Sequence, residues 1–357
     1  MKLLYKYLFI LINIFLFFAC VEPKKELKNY NFTNFGFYIT NEGNFTYGNA
    51  SLSFVDLEND TIYNNVFYDV NNYPLGDVAQ SITVFNDKVF IVINNSGKIF
   101  VINKNTAKYI ATIKNLTSPR HITFISENKA YISDLYSNFI TIINPQNYEI
   151  IGTINTGCST EKMILLEKYI YSLNWNLGNK ILKINTLTDE LEDSIILNFQ
   201  PNSLVVDKNS FLWVLTDGGI NSDTSLNYIP KLVKININSF EIEKTYSFEN
   251  KSLAPTNLCI NNSKDTLFFL KSSWNNNVTN GGVYKMSIND ETLPKTAFIK
   301  ENTNLFYAIT VSKNNQIIVS DAIDFSQPGD VFVYNSLGIL KKTYKAGIIP
   351  GNFCFIN

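Results

Sequence analysis

Apolar and polar residues alternate along this chain in short bursts, and the bursts recur in groups of four. Between Ser81 and Lys114 four β-rich runs, 82–85, 89–93, 99–103 and 109–113, are parted by turn residues at Asn86-Asp87, Asn95-Ser96-Gly97 and 103–106. Period-two alternation sends successive side chains to opposite faces of a strand, and Asn, Asp, Ser and Gly close tight turns. The same line returns from His121 and again from Lys162. A repeat of about forty residues holding four strands predicts one small sheet per repeat, the blade of a propeller.

Aligning the innermost strand of each repeat counts the blades. The runs are 81–85, 121–125, 162–166, 203–207, 257–261, 308–312 and 353–357, with bulky residues at alternate places: Ile82/Val84, Ile122/Phe124, Met163/Leu165, Leu204/Val206, Leu258/Ile260, Ile309/Val311 and Cys354/Ile356. The seventh run has nothing after it. At the other end, 36–39, 51–56 and 61–67 read as three strands with no inner strand before them. Joining the two deficits predicts an all-β, seven-bladed β-propeller over 36–357, closed by pairing the C-terminal strand with the N-terminal blade. Closure of this kind leaves no open edge between the first and last blade.

The first residues read differently. Two lysines by position 6 precede an apolar run over 7–18 that only Asn13 interrupts, and Phe17-Phe18-Ala19-Cys20 follows. This is the layout of a secretory signal with Cys at the first mature position, with Phe17 where a lipobox usually has Leu. It predicts a lipoprotein signal peptide over 1–19, lipidation of Cys20, and a polar lipid-anchored tether over 20–35. The run is shorter than the roughly 20 residues of a spanning helix. The other three cysteines, Cys158, Cys259 and Cys354, fit no metal spacing and are expected as buried free thiols. A net charge of −1 gives no basic footprint for nucleic acid.

In such a blade the turns between second and third strands share one face of the ring with the connections between blades. Length, aromatic residues and Asn/Asp concentrate in these segments, and loops on a rigid scaffold are where recognition sits. Candidate ligand-binding residues are therefore Asn44, Phe45, Asp77, Asn95, Asp134, Tyr136, Asn174, Trp175, Asp217 and Trp274. A second ring comes from the residue before each inner strand: Gln80, Arg120, Glu161, Asn202, Thr256, Tyr307 and Asn352. It is expected to surround the channel mouth, either facing a ligand or bridging blades, and adds Gln80, Arg120 and Asn202 to the candidates.

Little else in the chain points to chemistry. His121 is the single histidine and reads as a structural group. No G-x-S-x-G, Walker or dinucleotide glycine pattern is present, and no EF-hand spacing. No catalytic residue, metal ligand or cofactor is nominated. Paired carboxylates for glycoside work stay open.

Several phrases carry a family resemblance. Residues 88–99, with Val101-Ile102-Asn103 and Ala111-Thr112-Ile113, resemble the YVTN/YncE-type propeller repeat. Asn41-Glu42-Gly43-Asn44-Phe45, 75–82, 116–120, 133–138, 200–204 and 212–219 resemble the YncE-like surface lipoproteins of Bacteroidetes that carry the DUF5074 domain, and among them the BtuG-type cobalamin-capture proteins. The resemblance implies a lipid-anchored outer-membrane protein at the cell surface. It would capture a small nutrient, cobalamin or another corrinoid, for a TonB-dependent transporter, without catalysis. The alternatives are a propeller enzyme (lactonase, lyase or glycan hydrolase) and a protein-interaction platform in the envelope.

Overall fold

The computed structural model describes residues 26–32, 35–219, 228–249, 254–271, 281–301 and 305–356. Among them lie seven four-stranded antiparallel sheets and one short helix, Val66–Asn71. The second blade shows how the alternation works. Ala79–Phe85, Lys88–Ile93, Lys98–Asn103 and Tyr109–Ile113 pair in that order. Ile82 faces Ile91 and Val84 faces Val89 across the inner pair, so apolar side chains register on one face.

Each blade is covered on both faces by its neighbours, which explains why the second strand of each repeat is buried almost throughout. Val89 to Ile93 are all buried, as expected of a strand with no solvent face. The core is correspondingly divided into layers between blades. Phe90, Val92 and Ile99 meet Ile122, Ala130 and Ile132; farther round, Trp213 and Leu215 meet Leu258, Leu267 and Phe269. Outermost strands such as Glu190–Ile196 are largely exposed, and there charged residues enter among the apolar ones.

The ring closes as the sequence predicts. Pro350–Phe355 is the inner strand of the sheet that also contains Gly36–Asn41, Ser51–Asp56 and Thr61–Tyr63. Phe37 lies opposite Phe355, Tyr38 opposite Cys354 and Ile39 opposite Phe353. The Phe37 ring sits 5.4 Å from Phe355 and 6.0 Å from Phe353, and Ile356 is buried. Burying such side chains stabilises by about 1.5–3 kcal/mol each, so the seam is held by packing as well as by the ladder.

Two expectations change. The run 61–67 is a strand only through Tyr63. Asn65 then turns into the left-handed region (φ 56°) and starts the helix, whose Val66, Phe67 and Val70 are buried against Phe100 and Ile102. Those apolar residues satisfy one helix face as readily as a strand. The stretch read as tether is also docked near its end. Backbone N–H groups of Lys28 and Phe32 donate to the carbonyls of Asp69 (3.0 Å) and Asn105 (2.7 Å). The Phe32 ring stacks on Phe54 at 3.9 Å and is 4% exposed. Tyr30 and Phe32 are the apolar content that a reading of this segment as polar passes over. Cys158, Cys259 and Cys354 are free and partly buried. Cys20 lies outside the described residues.

Candidate functional site

A cavity of about 390 Å³ lies on the ring axis, with lining residues from all seven blades. Its position follows from a recurring irregularity at the start of the inner strand. In blade two, Ala79 pairs with Ile93 and Ser81 with Val92, leaving Gln80 as an extra residue. In blade three the register passes from Pro119–Asp134 to Ile122–Ile132, so Arg120 and His121 share one partner. Asn202 is the extra residue of blade five, and Tyr307 lies in the skip of blade seven. In blade four Glu161 N–H donates to the Leu173 carbonyl (2.7 Å) while Leu173 N–H donates to that of Lys162 (3.1 Å). A bulge of this kind bends the strand and re-aims a side chain; here it is repeated around the ring.

Two acidic groups in the cavity have very different surroundings. Glu161 accepts from Arg120 Nε at 2.7 and 3.0 Å and lies 3.2 Å from His121 Nε2. Burial alone would raise this carboxyl, but the Arg120 charge and the His121 hydrogen bond together hold it down at about 2. Burial also pulls the His121 imidazole below its ordinary value, against the attraction of Glu161. Arg120 Nη1 donates to Gln80 Oε1, and its guanidinium lies 5.8 Å from the Trp175 ring. On the other side, among the described residues, the Glu42 carboxyl has only the Tyr307 hydroxyl, 3.0 Å from each of its oxygens. Burial pushes Glu42 up to about 7, more than Tyr307 and the charge of Arg120 can offset.

Between them, Asp217 Oδ2 accepts from Trp175 Nε1 (3.0 Å) and Asn202 Nδ2 (3.3 Å), and Oδ1 from the Gly219 N–H (2.8 Å). Burial still raises its carboxyl. Lys162 lines the cavity, its Nζ has no hydrogen bond or ion pair among the described residues, and burial lowers its ammonium.

Of the sequence candidates, Gln80, Arg120, Trp175, Asn202 and Asp217 come together in this cavity. Phe45 and Tyr136 stand on the surrounding loops, 66% and 70% exposed. The others tie loops together. Asp134 accepts from the N–H groups of Ser118, Tyr136 and Ser137, and Asn174 donates to Ser159. Asp77 accepts from Thr46 N–H and Asn95 Nδ2, and Asn44 donates to the Phe325 carbonyl. Trp274 lies outside the described residues. Glu42, His121 and Lys162 are not among the sequence candidates for binding, and Glu161 and Tyr307 stand in the sequence only as members of the ring ahead of the inner strands. The signal for Glu161 and Tyr307 was their place before an inner strand; Lys162 gave none beyond being next to Glu161.

A family profile described as "Domain of unknown function (DUF5074)" matches residues 35–346. The chain belongs to the DUF5074 family. No curated protein matches it. A quinonprotein alcohol dehydrogenase-like protein from Bacteroides thetaiotaomicron superposes with a TM-score of 0.68 at 15% identity, covering 92% of this chain and 79% of that one. A putative 6-phosphogluconolactonase from Bacteroides uniformis gives 0.65 at 12% identity, covering 89% and 99%. The hydrazine synthase of Kuenenia stuttgartiensis gives 0.59 at 13%, covering 77% and 89%. At these identities the likeness is one of fold. This DUF5074 propeller shares a ring with such proteins, and its axial residues must be read on their own chemistry.

Proposed function

We propose that this DUF5074 propeller is a lipid-anchored binding protein of the outer membrane, attached through Cys20. It captures a small nutrient, with a corrinoid as the ligand, and passes it to a TonB-dependent transporter. The observation that carries the reading is the chemistry of one face. Phe45, Tyr47, Tyr136 and Leu177 are 66%, 78%, 70% and 75% exposed. All four lie on loops between second and third strands, the loops that also supply Glu42, Trp175 and Asp217 to the cavity. Large apolar side chains held in water around a polar centre favour a broad amphipathic ligand. A corrin ring is too wide for a cavity of about 390 Å³, so it would lie across these side chains and send only an appended polar group inward.

Titration of the purified protein with cyanocobalamin tests this. Saturable binding at micromolar ligand is expected, weakened about tenfold or more by Phe45→Ala with Tyr136→Ala, as for aromatic anchors at an interface. No heat and no absorbance change at that concentration would remove the corrinoid reading. One observation favours a second reading, that of a propeller hydrolase or lyase. Glu42 and Glu161 titrate far apart in one cavity, as a general acid and an ionised partner do. Turnover of a lactone or glycan substrate that Glu42→Gln abolishes would establish it.

A further inference from the structure

Hydrogen-bonding capacity in the axial cavity is unevenly used. Each carboxylate oxygen there already faces a protein donor. Both Glu42 oxygens face Tyr307, and both of Glu161 face Arg120. Those of Asp217 face Gly219, Trp175 and Asn202. Gln80 Oε1 is taken by Arg120. The donors are not used up. Among the described residues Lys162 Nζ, Arg120 Nη2, Gln80 Nε2 and the Asn352 amide have no acceptor, though all four residues line the cavity. None of these atoms is sealed in protein, since none belongs to the buried polar atoms that lack a partner. A lysine and an arginine lining one cavity, beside acids that each already accept from a protein donor, form a receptor for acceptor-rich groups.

We propose that the axial cavity binds an oxyanion, a carboxylate or phosphate group, through Lys162 Nζ, Arg120 Nη2 and the amides of Gln80 and Asn352. The cavity suits one such group and a few attached atoms rather than a whole large ligand. Trp175 forms an apolar wall beside the guanidinium at 5.8 Å. The Arg120–Glu161 pair fixes the guanidinium, so little side-chain freedom is lost on binding. Glu42 does not oppose the anion strongly, because burial keeps a large part of it protonated near neutral pH. The inference does not rest on the corrinoid reading. A free anion and an anionic group on a larger molecule present the same chemistry to these donors.

Calorimetric titration of the full-length protein with inorganic phosphate and with succinate tests the site. At least one should bind saturably, and Lys162→Met should weaken it about tenfold or more, the scale of losing one charge-assisted contact. Asn352→Ala is the second variant. The Asn352 side chain makes no hydrogen bond among the described residues, so its removal should weaken the anion while leaving the unfolding midpoint in place. Competition between phosphate and cyanocobalamin would show that the site receives the phosphodiester of a larger ligand. Independent binding, or phosphate binding with no response to cyanocobalamin, would show that it receives a free anion. No saturable binding of either anion, or unchanged affinity in both variants, overturns the proposal.

Discussion

Glu42 and Glu161 line the same cavity, yet one is pushed to about 7 and the other held at about 2. Burial acts on both in the same direction. The difference is what each bulge delivers beside it. Glu161 enters next to an arginine and a histidine supplied by the preceding blade. Glu42 leaves the seam strand Gly36–Asn41 and meets only a phenol from its own preceding blade, the one whose inner strand is Phe306–Val311. A cation compensates the lost hydration of a carboxylate; a neutral hydroxyl does so only in part. Ionisation in this ring is therefore set by the neighbouring blade rather than by depth.

The largest effect should come from removing what seats Glu42. Glu42 N–H donates to the Ile349 carbonyl at 2.8 Å, and its blade takes its inner strand from Pro350–Phe355. Truncation before Pro350 should abolish cooperative thermal unfolding. A sharp transition in the truncated chain would show that neither the seam nor the seat of Glu42 needs the closing strand. Next in size is Arg120→Met, which leaves Glu161 buried beside His121 alone. A loss of about 3 kcal/mol in denaturant unfolding is expected, with His121 drawn toward its charged form in NMR titration. A loss below about 1 kcal/mol would break the contrast between the two acids.

The pH dependence sharpens it further. The folded value of Glu42, about 7, lies above its ordinary 4.5, so the folded state binds more protons and stability falls as pH rises from about 4.5 to 7. Glu161 is lowered from 4.5 to about 2; its contribution is present above about 4.5 and is lost as pH falls through about 2. The groups facing Glu42 are Tyr307, Arg120 and Glu161. Glu42→Gln should flatten the neutral limb by on the order of 2 kcal/mol and leave the acid limb in place. Chemical unfolding of both proteins across that range measures it; an unchanged neutral limb would place the titration elsewhere.

Much of this molecule is readable before it is folded. Alternation such as Ile82/Val84 and the turns at Asn86-Asp87 mark strands because backbone pleat and turn geometry act over two to four residues. A repeat of about forty residues then implies blades, and the unmatched runs at the two ends imply their pairing. The ring of residues ahead of the inner strands was legible for the same reason, as a repeated position. Asp134, Asn174 and Asp77 read as ligand-facing in the sequence because a polar loop residue has the same signature whether it faces a ligand or secures a turn.

What the amino-acid order determined by itself was the count, the strand pattern and the closure of the ring, since each depends on short-range periodicity or on arithmetic along the chain. What only the tertiary structure decided was which polar side chains share the axis and in what state. Tyr307 meets Glu42 across 265 positions, and Arg120 meets Glu161 across 41. Such partnerships exist only once bulges have turned those side chains inward and seven blades have brought them within hydrogen-bonding distance. Desolvation and the charge of a neighbour then set their ionisation, and neither can be read from one blade alone.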